Sequence, residues 1–166
     1  MRIAIISPVD MRVPPVAYGG TELVVSLLTE ELVRRGHAIT LFASGDSVTS
    51  AKLESICPRF VRGSDRNRDV LNILNVVSCL QRADKFDLIH NHTLLEGMST
   101  AGLVKTPVLT TLHGNLAGDF QLLFARYKGW YNTISQACKT RLPEKGRFAG
   151  VIYNAIDVKS HPFNDS

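Results

Sequence analysis

The residue types most able to do chemistry in this sequence are glycines and histidines placed next to predicted strand ends. Gly19-Gly20 follows a Pro-rich loop and directly precedes a helical pattern. Unpaired N–H groups and the helix dipole at such a position favour an anion, and a missing side chain lets phosphate oxygens approach the backbone. The pair therefore predicts a phosphate-binding turn. The alternative is a tight loop that needs a positive φ, since the pattern is neither Gly-x-Gly-x-x-Gly nor a P-loop.

Three histidines stand where two later strands are predicted to end. His90-Asn91-His92 places two imidazoles on one face of a strand, so a metal pair is one alternative. No carboxylate or thiol lies nearby in sequence as a third ligand, which favours polar lining of a cleft instead. His113-Gly114 could hydrogen-bond a sugar hydroxyl or a phosphate, or it could make only structural hydrogen bonds.

The elements that must position these residues alternate between strands and helices. Near-continuous apolar runs predict buried parallel strands, and apolar residues repeated every three to four positions predict helices. The predicted strands cover residues 2–7, 37–43, 86–90, 106–112, 130–134 and 150–153. The predicted helices cover residues 21–35, 70–83, 94–104, 116–128 and 136–142. Thr21 is the predicted N-cap of the first helix, and the weak pattern between residues 48 and 68 predicts short helix and loop.

This alternation indicates an α/β fold with an open, doubly wound, mainly parallel, Rossmann-like sheet. In such folds ligands bind at the carboxyl ends of the strands. We therefore expect the glycine pair and the histidines at the same edge. On residue chemistry alone, the sequence predicts an α/β domain that binds a phosphate or a polar ligand. No Gly-x-Ser-x-Gly elbow is present, and no spacing singles out Asp10, Asp46 or Glu96 as an acid or base.

Composition narrows the class of protein. The 166 residues, 45% hydrophobic and 20% charged, fit one globular domain. No apolar run approaches the ~20 residues that span a bilayer, and no signal peptide is recognisable, so a cytoplasmic location is predicted. Cys57, Cys79 and Cys138 lack the spacing of a disulfide framework or a zinc site. Basic clusters at residues 59–68 and 139–147 could attract phosphates or anionic lipid headgroups, or simply face solvent.

Seven segments follow one another in an order and at a spacing found in a known family. They are RIAII at 2–6, YGGTE at 18–22, LVRRGHAITL at 32–41, FDLIHNH at 86–92, TTLHG at 110–114, ISQA at 134–137 and VIYNAID at 151–157. Over nearly its whole length, the chain resembles the family-4 retaining glycosyltransferases of the GT-B architecture. The resemblance implies transfer of a sugar from a nucleotide-diphosphate sugar to an acceptor, with no cofactor and no essential metal.

The resemblance also implies roles for individual residues. Gly19 and Gly20 would present backbone N–H groups to the donor diphosphate, and His113 would be the catalytic contact to the transferred sugar. The residues implied on the acceptor side or elsewhere in the cleft are Tyr18, Glu22, His92, Ser135 and Gln136. Of these, Ser135 and Gln136 would lie in a more distant part of the cleft.

In the family's anatomy, residues 1–157 would form the N-terminal, acceptor-side domain and residues 158–166 would begin the linker to a nucleotide-sugar domain that this chain lacks. We therefore expect the chain alone to be inactive. A sugar or lipid-linked acceptor, and no nucleic acid, is implied as partner. A lipid-linked acceptor would place the protein peripherally at the inner membrane face. Two alternatives stay open: a binding module or half-subunit that completes its site with another chain, and a nucleotide-binding or response-regulator-like α/β protein.

Overall fold

A parallel sheet of seven strands forms the centre of the computed structural model, which describes residues 1–114, 118–127, 129–142 and 146–158. The strands are β1 (Arg2–Ile6), β2 (Ala38–Phe42), β3 (Lys52–Glu54), β4 (Leu88–Asn91), β5 (Val108–Leu112), β6 (Trp130–Thr133) and β7 (Arg147–Val151). Their order across the sheet is β3-β2-β1-β4-β5-β6-β7, and all neighbouring pairs are parallel. The predicted doubly wound α/β fold is confirmed.

Helices connect most of these strands. They are α1 (Gly20–Arg34), α2 (Arg68–Leu80), α3 (Leu95–Thr100), α4 (Phe120–Arg126) and α5 (Gln136–Lys139), with 3₁₀ helices at Ala83–Lys85 and Ala101–Leu103. Each predicted helix overlaps one of α1 to α5. In the part of the chain that the structure describes, no helix has the length and apolarity needed to cross a bilayer.

Three local predictions were wrong. The backbone is already helical at Gly20, so Gly19 is the N-cap of α1 and Thr21 lies inside the first turn. Strand β3 lies in the segment expected to be helix and loop. It was missed because it is a three-residue strand at the edge of the sheet, whose side chains are exposed or half-buried and leave no apolar run. Strand β7 begins three residues earlier than the predicted strand at 150–153 and ends two residues earlier, at Val151, although Ile152 still donates its N–H to Thr133 O at 2.8 Å.

Strand β1 is apolar from Ile3 to Ile6 because both of its faces are buried there. Ile6 packs in a cluster with Val76 of α2 on one face, and Ile5 packs with Val25 of α1 on the other. All four of these side chains are at most 1% exposed. This packing fixes the two helices against the strand whose carboxyl end leads into the glycine pair.

Of the predicted linker at 158–166, all but Val158 lies outside the described residues.

Candidate functional site

The loop that follows β1 is held by two asparagines of α2. Asn75 donates from Nδ2 to the carbonyl oxygen of Ser7 at 3.0 Å. Asn72 accepts from the N–H of Val9 at 2.9 Å and donates to the carboxylate of Asp10 at 3.0 Å. Both amide side chains are buried. They fix the chain as it leaves the sheet and thereby orient Asp10 toward the carboxyl edge.

The glycine pair lies at the N-terminus of α1. Gly19 has a φ of 164°, which is extended backbone, and Gly20 is the first helical residue. The alternative of a tight loop with positive φ is therefore wrong for both residues. A Cβ at Gly20 would meet no atom within 4 Å, whereas a Cβ at Gly19 would stand 2.6 Å from the Cβ of Pro15. The open space is thus at Gly20, next to the first N–H groups of the helix.

Most of the predicted site residues meet in one cavity of about 380 Å³, which we call the site cavity. The predicted residues that line it are Tyr18, Gly19, Gly20, Glu22 and His113. A neighbouring cavity of about 310 Å³ is lined by His92 and shares His113 with the site cavity. Both lie at the carboxyl edge of the sheet, as the position of the predicted residues after their strands implies. What each residue binds stays a prediction.

Glu22 is a buried acid on the wall of the site cavity, with 5% of its surface exposed. Burial is the main cause that raises the pKa of its carboxyl, and the negative charge of Asp10 acts in the same direction. Its own backbone N–H and the Arg62 guanidinium act in the opposite direction. Glu22 is therefore easier to protonate than an exposed glutamate, and its carboxyl can act as hydrogen-bond donor or acceptor.

Two charged residues that the sequence did not assign to the site also line these cavities. Arg62 lies over the exposed ring of Tyr18, with 5.8 Å between its guanidinium carbon and the ring centroid. Arg68 lies 3.5 Å from the carboxylate of Asp10. The only sequence signals were the basic cluster at 59–68 and an unassigned acid after β1. Neither signal shows that these side chains reach the edge where Gly20 lies.

The three histidines after β4 and β5 form a cluster. His92 Nδ1 and His113 Nε2 are 2.8 Å apart, and His90 Nε2 lies 2.7 Å from the hydroxyl of Thr111. The ring of His92 lies between the other two, with centroid distances of 4.2 Å to His90 and 5.1 Å to His113. Burial lowers the pKa of His90 and of His113 to about 4. Burial and the two neighbouring rings hold the pKa of His92 well below its usual range, so the three rings are neutral at pH 7.

This arrangement favours hydrogen-bonded polar lining over a metal pair. Three of the ring nitrogens are used in hydrogen bonds, to Thr111 and between His92 and His113. Within the described ranges, no group of three or more His, Cys, Asp or Glu side chains could hold a metal ion.

Ser135 and Gln136 line neither cavity. The hydroxyl of Ser135 accepts a hydrogen bond from the N–H of Cys138 at 3.2 Å and so caps α5. Gln136 is exposed. Their predicted place in a more distant part of the cleft stays a prediction. A larger cavity of about 660 Å³, lined by Val108, Trp130 and other residues at the amino ends of the strands, contains none of the predicted site residues.

An apolar groove of about 280 Å³ lies between α1 and the segment that follows β7. Leu27 and Leu28 form one wall, and the exposed side chains of Ile152 and Tyr153 form the other. A half-subunit and a domain that lacks its second half would both expose such a surface. The groove therefore does not distinguish these two alternatives.

Comparison with known proteins agrees with this fold. The sequence matches the family model described as Glycosyltransferase Family 4 over residues 18–160. Among similar solved structures, AviGT4, a glycosyltransferase involved in avilamycin A biosynthesis, has 21% identity and a TM-score of 0.58, and the match covers 94% of this chain and 42% of AviGT4. HepE of Anabaena in complex with UDP and glucose has 19% identity and a TM-score of 0.58, with 99% of this chain and 47% of HepE covered. MurG of Acinetobacter baumannii has 15% identity and a TM-score of 0.55, with 94% of this chain and 46% of MurG covered. No curated protein is similar enough in sequence to match.

At these identities the likeness to solved structures concerns the fold. The chain spans less than half the length of the three structures. Its sheet matches the N-terminal half of the GT-B architecture, as the sequence predicts.

Proposed function

Because the chain belongs to glycosyltransferase family 4, we propose that it forms the N-terminal, acceptor-side domain of a retaining enzyme that uses a nucleotide-diphosphate sugar. The observation that carries this proposal is that Gly20, Glu22 and His113 line one cavity at the carboxyl edge of the sheet. A helix N-terminus can bind a diphosphate, and a buried acid and a neutral imidazole can hydrogen-bond sugar hydroxyls. Residues 1–157 make up this domain, and the base and ribose of the donor bind to a second domain.

The N-terminus of α1 would bind the donor diphosphate. The first N–H groups of a helix have no intrahelical partner, and Gly19 has no side chain to cap them. Open space at Gly20 lets a phosphate oxygen approach these groups. Negative charge grows on the diphosphate as the sugar leaves, so the N–H groups and the helix dipole would stabilise the transition state more than the ground state. On this account the transfer requires neither a metal nor an organic cofactor.

His113 would contact the transferred sugar. A neutral imidazole donates one hydrogen bond and accepts another. It can therefore orient sugar hydroxyls. A charged imidazolium would instead repel the positive charge that develops at the anomeric carbon. The lowered pKa of His113 keeps it in this neutral form throughout the neutral pH range.

The acceptor would enter beside Tyr18 and Glu22, with His92 as polar lining of the adjoining cavity. Glu22 would hydrogen-bond an acceptor hydroxyl, and the stacked pair of Tyr18 and Arg62 would cover the acceptor from the solvent side. A sugar or a lipid-linked sugar fits this chemistry. A cytoplasmic enzyme with a lipid-linked acceptor would work at the inner membrane face.

The test is a transfer assay on the full-length protein with UDP-, GDP- and ADP-sugars. Sugar release or transfer is followed with and without EDTA, and the anomeric configuration of the product is read by proton NMR. We expect a product with the configuration of the donor and no loss of rate in EDTA. An inverted product would exclude the retaining mechanism. Absence of both transfer and donor binding would favour the non-catalytic binding module or half-subunit.

A further inference from the structure

We propose that His92 is a positioning residue for His113: it donates a hydrogen bond from Nδ1–H to His113 Nε2 and so fixes the orientation and the tautomer of that ring. The proposal rests on the proposed function only where it concerns sugar transfer. The tautomer itself is a property of the protein without substrate. Two observations support it: the distance of 2.8 Å between the two nitrogens and the burial of His92, which is 4% exposed.

The ring of His92 is held on several sides. Its backbone N–H donates to Ile6 O at 2.9 Å, which anchors the residue to β1. Its ring lies against that of His90, which is itself fixed by the hydroxyl of Thr111. Thr111 donates its hydroxyl proton to Asn132 Oδ1 at 2.8 Å, so it must accept from His90 Nε2–H. His92 is therefore a rigid support on which a second ring can be oriented.

Only one proton can lie between His92 Nδ1 and His113 Nε2, because two N–H groups facing each other at 2.8 Å would clash. The other nitrogen of His92, Nε2, is buried and has no hydrogen-bond partner among the residues that the structure describes. If His113 donated, His92 would carry its proton on this nitrogen and bury an N–H group without an acceptor. If His92 donates, the buried nitrogen is a bare acceptor. Buried N–H groups without a partner are the rarer case in folded proteins.

The tautomer of His113 determines which hydrogen bond this ring can offer in the site cavity. With Nε2 of His113 occupied by His92, the nitrogen left for a ligand is Nδ1, and in this tautomer Nδ1 carries the proton. His113 would therefore act as a donor toward an oxygen of the substrate. In the other tautomer the same nitrogen could only accept. His92 thus decides which kind of hydrogen bond His113 offers to the transferred sugar.

The experiment begins with the tautomer of His113 in the full-length protein, read from ¹⁵N-histidine long-range spectra at pH 7.5. We expect the Nδ1–H form in the wild-type protein. His92→Asn keeps an N–H donor near the position of Nδ1, whereas His92→Leu has a similar shape and no donor. We expect His92→Asn to preserve the tautomer and His92→Leu to lose it. An Nε2–H form of His113 in the wild-type protein would overturn the proposal, even if neither variant folds.

Kinetics on the same variants give the second readout. We expect His92→Leu to lower kcat by about 10-fold or more and His92→Asn to stay within about threefold of the wild-type value. In a His113→Ala background, His92→Leu should have no further effect, because it acts only through His113. If the two substitutions together lower kcat by the product of their separate factors, His92 has a role independent of His113. If the tautomer is as expected but His113→Ala transfers sugar normally, the proposed function of His113 fails and the positioning contact stands.

Discussion

The carboxylate of Glu22 lies against the backbone of Gly19. A Cβ at Gly19 would stand 3.0 Å from Glu22 Oε2 as well as 2.6 Å from the Cβ of Pro15, whereas a Cβ at Gly20 would meet nothing within 4 Å. The two glycines are adjacent in sequence but have different reasons to lack a side chain. Gly19 is needed for packing within the protein, and Gly20 leaves room for a ligand.

Gly20→Val should therefore abolish transfer without unfolding the domain. The new side chain fills space beside the helix N-terminus that the diphosphate would occupy. We expect kcat/KM to fall by about 100-fold or more, which is the size of effect seen when a donor to a developing anion is lost. The free energy of unfolding should change by less than about 1 kcal/mol, since the new Cβ has open space around it. Enzyme assays and denaturant unfolding on the full-length protein measure both quantities.

Gly102→Val is the matched control. A Cβ at Gly102 also meets nothing within 4 Å, but the residue lines the cavity at the opposite edge of the sheet. It should retain transfer. Gly19→Ala should instead lower the free energy of unfolding by about 1–3 kcal/mol, because Pro15 must move. If Gly20→Val transfers sugar at the wild-type rate, the diphosphate does not bind at this position.

Asn75 should contribute more to stability than other polar residues of α2. Its amide donates to the carbonyl oxygens of Ser7 at 3.0 Å and of Phe42 at 3.1 Å, and so ties the ends of β1 and β2 together in the interior. Asn75→Ala should lower the free energy of unfolding by about 2–3 kcal/mol, because it leaves a buried carbonyl without its partner. Ser78→Ala, on the same helix, removes only a bond to the carbonyl of residue 75 and should cost less than about 0.5 kcal/mol. Equal losses in the two variants would contradict this assignment.

Much of the fold follows from apolar patterning. Strand β1 and its neighbours are buried on both faces, and this leaves near-continuous runs such as the one that contains Ile5 and Ile6. Strand β3 shows the limit of that signal. Its three residues pair with β2 alone at the edge of the sheet, so the pairing is visible in backbone hydrogen bonds and not in side-chain types.

The site could be predicted only in part, for a similar reason. The rule that ligands bind at carboxyl strand ends brings Gly20 and His113 to one edge. The contact between His92 and His113 depends in addition on the register of β4 with β5, in which Asn91 pairs with Thr110. Arg62 reaches the site through a long loop whose path no local pattern specifies. Neither register nor loop path can be read from residue types alone.

Ser135 should prove important for helix α5. Its hydroxyl is the N-cap acceptor for the N–H of Cys138 at 3.2 Å. Ser135→Ala should lower the free energy of unfolding by about 1 kcal/mol, and Ser135→Asp should restore most of the loss, because aspartate caps equally well. Denaturant unfolding measures both. If Ser135→Ala leaves stability unchanged but lowers transfer, the predicted cleft role is correct and the cap is dispensable.

The histidine cluster should make the fold sensitive to acid. An unfolded histidine takes up a proton near pH 6.5, whereas the pKa of His90 and of His113 in the folded protein is about 4. Between these values the unfolded chain binds more protons, so the stabilisation is complete above pH 6.5 and is lost as the pH falls toward 4. We expect the free energy of unfolding to decrease by on the order of a few kcal/mol over this window.

His90→Gln tests the origin of that loss. Glutamine can still donate to the hydroxyl of Thr111 from the position of Nε2, but it does not titrate. The free energy of unfolding of His90→Gln should therefore fall by about 1–3 kcal/mol less than that of the wild-type protein between pH 7 and pH 4.5. Identical slopes for His90→Gln and the wild-type protein would mean that His90 takes up its proton as readily in the folded chain as in the unfolded one.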